Sequence, residues 1–193
     1  SGVYVIYDEL EGKEAVTWSY LLHTVELPME MKELPNEVQV TGKNKAGGVS
    51  VTHLFSSAKT EQAIADTFFC APTNWKNVTN AQGKTLKYPN HWHFSSTTVP
   101  CKVARFLTVM DTHGNNRPDM KVVRNGNTVQ VGDWVINCNL TEKGKAAITV
   151  TNKSEKVSLN YDAGKKEGAT IVTDQIKGKQ ISKVLTDYLP DFE

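Results

Sequence analysis

Apolar and polar positions along the chain recur with a period of two, the signature of β-strands. "VYVIYD" (residues 3–8) is apolar on both faces, which predicts a strand covered on both sides. "DELEG" follows and reads as a turn, with Gly12 as its punctuation. "AVTWSYLLHTVEL" alternates, placing Trp18, Tyr20 and Leu22 on one face and Thr17, Ser19, Leu21 and His23 on the other. Pro28 and Pro35 bracket an expected loop. "EVQVTG" and "GGVSVTHLFSS" are two further strands joined by a Lys/Asn/Gly turn. "KTEQAIADTFF" fits a short helix by composition and an irregular strand equally well.

Residues 70–90 have no periodicity and read as a long loop, of the kind that is usually functional or mobile. "HWHFSSTT" and "KVARFLTVMD" are strands, and "THGNNRPDM" is a second polar loop. Asn125-Gly126, inside "KVVRNGNTVQVGDWVINCNL", is the strongest hairpin signal in the chain. Short strands at regular spacing continue through "ATIVTDQIKGKQISKVL", and the tail "TDYLPDFE" is expected to be peripheral. Many short strands separated by turn signals predict an all-β protein, an antiparallel β-sandwich. A single domain over residues 3–193 accounts for the pattern. Ser1-Gly2 reads as a cloning remnant. Because the strand pattern is at full strength by Val3, the expectation is a fragment of a longer protein.

Composition agrees. Of 193 residues, 39% are hydrophobic, and Thr, Val, Asn and Lys are abundant. Twenty-two basic residues against 21 acidic ones give a formal net charge of +1, so nothing calls for nucleic acid as a partner. No apolar run approaches the roughly 20 residues of a membrane span. Cys70, Cys101 and Cys138 are odd in number and match no zinc spacing, so they read as small buried or half-buried thiols. Dinucleotide-binding, phosphate-loop, nucleophile-elbow and HExxH motifs are absent, and no cofactor is implied.

His91-Trp92-His93 is the one cluster that raises a chemical question. On a strand His91 and His93 share a face with Ser95 and Thr97, while Trp92 and Phe94 share the other. The simplest account is an amphipathic strand with Trp92 and Phe94 in the core. A His-x-His pair also suits zinc, but a site needs a third ligand, and His23, His53, Asp111 and His113 qualify only by type. His23 reads as a hydrogen-bonded structural imidazole and His113 as a solvated turn residue. Tyr7, Tyr20, Tyr88 and Tyr161 read as amphipathic packing residues. No catalytic residue emerges.

As text, "YVIYDELEGKEAVTWSYLLHT" and "HWHFSSTTVPCKVARFLTVM" resemble two strand blocks of heparinase II/III-like polysaccharide lyases. The first matches an apolar strand, an acidic turn and a Leu-Leu-His-Thr ending. The second matches a Trp-His strand followed by an Ala-Arg-Phe-Leu-Thr-Val strand. The resemblance implies a C-terminal region of stacked antiparallel sheets, a super-sandwich fragment, whose partner is an N-terminal helical toroid. It implies a bacterial parent enzyme, periplasmic or secreted, that cleaves acidic polysaccharide such as a glycosaminoglycan by β-elimination. The family's catalytic residues and zinc site fall outside the matched blocks, so none is carried over. His93 falls on the family's usual histidine, and His91 is particular to this chain. The pair is then best read as the polar face of a sandwich strand.

Two functions follow as expectations. In the first, the chain is a non-catalytic module that braces the toroid and walls the substrate cleft, with Lys76, Lys84 and Lys87 meeting acidic groups and Trp75 offering a stacking face. In the second, it is a free-standing carbohydrate-binding or adhesion module presenting Trp75, Tyr88 and Trp92. Exposed aromatics in a row would favour the second; an uncovered apolar face would favour the first.

Overall fold

The computed structural model describes residues 2–25, 27–44, 46–66, 80–84, 91–152, 154–164, 170–176 and 179–185. Every regular element in them is a strand: β1 (Gly2–Val16), β2 (Ser19–Val25), β3 (Met29–Leu34), β4 (Glu37–Lys43), β5 (Gly48–Ser56), β6 (Thr60–Ala65), β7 (His91–Thr98) and β8 (Cys101–Gly114), then β9 (Val122–Asn125), β10 (Thr128–Val131), β11 (Trp134–Cys138), β12 (Ala147–Asn152), β13 (Val157–Asp162), β14 (Thr170–Ile176) and β15 (Lys179–Leu185). They form a five-stranded sheet in the order β1-β8-β5-β4-β3, a seven-stranded sheet running β15 to β9, and a three-stranded sheet β2-β7-β6. All pairings are antiparallel.

The predicted antiparallel sandwich is therefore present, as a stack of three sheets. Alternation within β5 and β8 explains the stacking. Phe55, Leu107 and Val109 point to one side and pack with Val129, Val131 and Ile136 of the seven-stranded sheet. Leu54, Ala104 and Phe106 point to the other side and pack with Phe94 and the partly buried Trp18, Tyr20 and Leu22 of the three-stranded sheet. Successive residues of a strand face opposite ways, so one apolar strand feeds two cores. Phe55, Phe94, Leu107, Val109 and Ile136 are each 0% exposed.

Several local expectations change. Gly12 does not turn the chain, and β1 runs through it to Val16. The ladder with β8 holds from Gly2 to Glu11 and then slips before Val16, a bulge rather than a reversal. The glycine serves close approach: a Cβ there would lie 3.2 Å from the Trp18 ring. The segment between Pro28 and Pro35 is strand β3, because Met29 and Met31 alternate into the core. "KTEQAIADTFF" contributes strand β6, paired with β7. The hairpin at Asn125-Gly126 is present, with Asn125 paired to Thr128, so the two loop residues are Gly126 and Asn127. Gly126 has φ of 59°, which a glycine at the first loop position supplies. Cys101 and Cys138 are free and buried, and burial pushes the Cys138 thiol up to about 11. Cys70, the tail and most of the 70–90 loop lie outside the described residues.

Candidate functional site

The histidine cluster lies on β2 and β7, in the three-stranded sheet. Register places His23 opposite His93 and Val25 opposite His91. Phe94 and Trp92 face the core, as the alternation required. His93 faces away from that core yet is only 6% exposed. His23 is exposed and His91 half-buried. The His23 and His93 rings sit with centroids 5.8 Å apart, tilted by 34°. Ser19 and Thr97, further along the same face, share a hydrogen bond of 2.9 Å. The face carries imidazole and hydroxyl groups, with His93 itself buried and the Ser19 and Thr97 hydroxyls bonded to each other.

The other residues considered as metal ligands do not join this cluster. His53 lies on β5, inside the stack, with Nδ1 3.6 Å from the Glu37 carboxylate. Neither of its ring nitrogens has a hydrogen-bond partner among the described residues. Asp111 and His113 lie at the end of β8. His113 is not a solvated turn residue: it is 6% exposed, because β8 continues through it. Its Nδ1 is 2.7 Å from the Gly114 carbonyl and its Nε2 is 3.0 Å from Asp119 Oδ1. Asp111, 0% exposed, accepts a two-pronged bond from the Arg117 guanidinium and a 2.8 Å bond from the Met120 N–H. Burial alone would raise the Asp111 carboxyl, but Arg117 and the Met120 N–H outweigh it and hold the group below the usual carboxylate range. Among the described residues no three His, Cys, Asp or Glu side chains come together as a metal-ligand set.

Of the residues expected to meet an acidic sugar, Lys84 is exposed, in a turn where Asn80 Oδ1 accepts from its backbone N–H at 3.0 Å. Trp75, Lys76, Lys87 and Tyr88 lie outside the described residues. Trp92 packs, half-buried, against the core. A polar cavity of about 450 Å³ opens near the β3–β4 turn, lined among others by Glu33, Glu37, Lys59 and Arg124. It holds both signs of charge and so has no clear bias towards anions. Arg124 is already engaged, donating to Gly126 O and Asn36 O and lying over the Phe55 ring.

Two features escaped the sequence reading. The first is a buried clamp. Arg105, 1% exposed, donates to Glu9 Oε1 through Nε and Nη2 at 3.1 and 2.6 Å. It also donates to the carbonyls of Thr141, Lys143 and Gly144. The β11–β12 connection is thereby fastened to the five-stranded sheet, helped by Tyr7, whose hydroxyl donates to Asn139 O at 2.7 Å. One signal was available: an arginine inside the apolar run "ARFLTV" is seldom buried unless paired.

The second is the surroundings of β1. Towards the seven-stranded sheet, Val3, Val5 and Tyr7 line an open apolar cleft of about 740 Å³, roofed by Trp134, Leu159 and Tyr161. On the opposite face Tyr4 is 58% and Ile6 43% exposed. The expectation that "VYVIYD" is covered on both sides is therefore not met by the described residues, because the three-stranded sheet reaches Leu10 but leaves Tyr4 and Ile6 open. No protein-family model matches the chain, and no curated protein matches it either.

Proposed function

We propose that this chain is a non-catalytic β-sandwich module of a heparinase II/III-like polysaccharide lyase, acting with a helical toroid on acidic polysaccharide outside the cytoplasm. The observation that carries the reading is the open apolar ground around β1, where Val3 and Val5 line a cleft while Tyr4 and Ile6 face solvent. Contiguous apolar surface on a sandwich marks a place where another body packs. The two stretches that resemble the lyases lend support, since they pair with each other: β1 with β8 and β2 with β7. Far apart in sequence, they form one neighbourhood in space, as inherited blocks of a common scaffold would. The histidine and hydroxyl face of β2 and β7 is the surface that would line the cleft.

In the alternative, a free-standing carbohydrate-binding module, an exposed row of aromatics should stand on a sheet face. Among the described residues the exposed large hydrophobics include a single aromatic, Tyr4. The test is an ultraviolet assay of the purified chain on heparin, heparan sulfate, chondroitin sulfate and alginate, reading the unsaturated uronate that elimination forms. The chain alone should give no absorbance gain. A gain lost on His93→Ala would overturn the supporting role, and micromolar glycan affinity lost on Trp75→Ala would favour the alternative.

A further inference from the structure

Among the described residues β1 ends the five-stranded sheet, and its outer edge is unprotected. Its ladder with β8 is unbroken from Gly2 to Glu11, so the far side presents a straight row of N–H and C=O groups. Edge strands are normally blunted by shortness, lysine, proline or a bulge. The opposite edge, β3, obeys this rule: it is six residues long, carries Lys32 and lies between Pro28 and Pro35. From Gly2 to Tyr7, β1 has no charged residue, no proline and no bulge, and its charges begin at Asp8.

The layers give the same message. Val157, Leu159 and Tyr161 of β13 already line the cleft beside β1, and β14 and β15 continue the seven-stranded sheet beyond them. The five-stranded sheet is thus short of strands on the side where its neighbour extends. A strand added to β1 would sit about 4.8 Å from it, beneath that overhang, with alternate side chains entering the cleft. A second copy pairing β1 to β1 does not fit. Antiparallel continuation of one sheet keeps like faces on the same side, so the two overhanging seven-stranded sheets would collide.

Charge sets the direction. From Val3 to Tyr7 β1 is uncharged, whereas the rest of the strand carries Asp8, Glu9, Glu11 and Glu14 against a single Lys13, and of Asp8, Glu9 and Glu11 it is Glu9 that is engaged, by Arg105. We infer that β1 accepts one antiparallel strand from a partner polypeptide, apolar at alternate positions and basic near its N-terminal end. Main-chain hydrogen bonds would supply affinity, and the cleft and carboxylates would supply register. This inference starts from the same open ground as the lyase reading but does not need the partner to be a helical toroid.

The test titrates the full chain by calorimetry with a synthetic peptide of two lysines followed by alternating threonine and valine. The control is the same peptide N-methylated at alternate backbone nitrogens, in both phases. The plain peptide should bind, and one of the two methylated phases should bind at least about tenfold more weakly. Val5→Lys, checked for an unchanged melting profile, should weaken binding by about as much, while Ile6→Thr should not. Equal binding of all three peptides, or no binding of the plain one at about millimolar concentration, would overturn the inference. So would a dimer in solution that Val5→Lys dissociates, since the occupant would then be a second copy.

Discussion

β8 and β1 are neighbours in one sheet, both apolar on both faces, yet they live in different surroundings. In β8 the residues Ala104, Phe106, Leu107 and Val109 are 0–1% exposed, because one face meets the seven-stranded sheet and the other the three-stranded sheet. In β1 no residue reaches full burial. The same pattern in sequence has thus been given two covers in one strand and incomplete cover in the next. A two-faced apolar strand states how many covers it needs, and among the described residues β1 has fewer than β8.

That contrast can be broken or sharpened by substitution. The largest effect is expected at Arg105, which joins the ladder of β8 to Glu9 of β1 and to three carbonyls. Arg105→Ala should cost about 3–5 kcal/mol in urea unfolding, because three carbonyls and the partly exposed Glu9 carboxylate lose their buried donor and a large buried side chain leaves a void. A loss under about 1 kcal/mol would show that the clamp does not hold the layers together. Leu107→Ala, in the doubly covered strand, should cost about 2–5 kcal/mol through its cavity.

Asp111→Asn comes next, with about 1.5–3 kcal/mol lost at neutral pH as charge-assisted bonds weaken. Its folded carboxyl lies below the unfolded value, so the stability it contributes is present above the unfolded value and disappears as pH falls through the folded one. The variant should therefore unfold with a flatter acid limb than the parent chain. An unchanged acid limb would mean that Arg117 does not hold the charge.

Tyr7→Phe should cost about 0.5–1.5 kcal/mol, the worth of one hydrogen bond. Burial pushes the Tyr7 hydroxyl up to about 12, from an ordinary value of 10.0. Neutral tyrosine is thereby favoured in the fold, so its contribution is complete below pH 10 and is lost as pH rises towards 12. Thermal melts across that range should show a shallower alkaline decline in the variant. The smallest effect, within about 0.5 kcal/mol, is expected for Ile6→Thr on the open face of β1. A cost like that of Leu107→Ala would mean that this face is covered after all.

How far the sequence carried the architecture follows from the physics of each element. Strand type and the core-facing role of Trp92 and Phe94 were legible because period-two alternation is a local property. The hairpin at Asn125-Gly126 was legible because glycine admits a positive φ, although the loop itself is shifted one residue onward. Strand β3 was hidden by its flanking prolines, which mark an edge as readily as a loop. Gly12 was misread because a glycine needed for close approach to Trp18 looks the same as one needed for a turn. His113 was placed in solvent because its turn-rich neighbourhood outweighed the fact that β8 had not yet ended. The Arg105 clamp depends on residues as far apart as Glu9 and Gly144, and no local window could assemble it. Of the candidate site, only the shared face of His91 and His93 was readable; the approach of His23 required the pairing of β2 with β7.

The register of β1 also bears on how the chain is made. Val5 pairs with Val109, roughly a hundred residues downstream, and no nearer strand of the five-stranded sheet touches β1. At ribosomal rates of about 5–20 residues per second, β1 waits on the order of 5–20 s for its partner to be synthesised. Throughout that interval both of its edges are open, and the stretch from Val3 to Tyr7 is uncharged and rich in strand-forming side chains. That interval is when β1 is most open to mispairing with another chain.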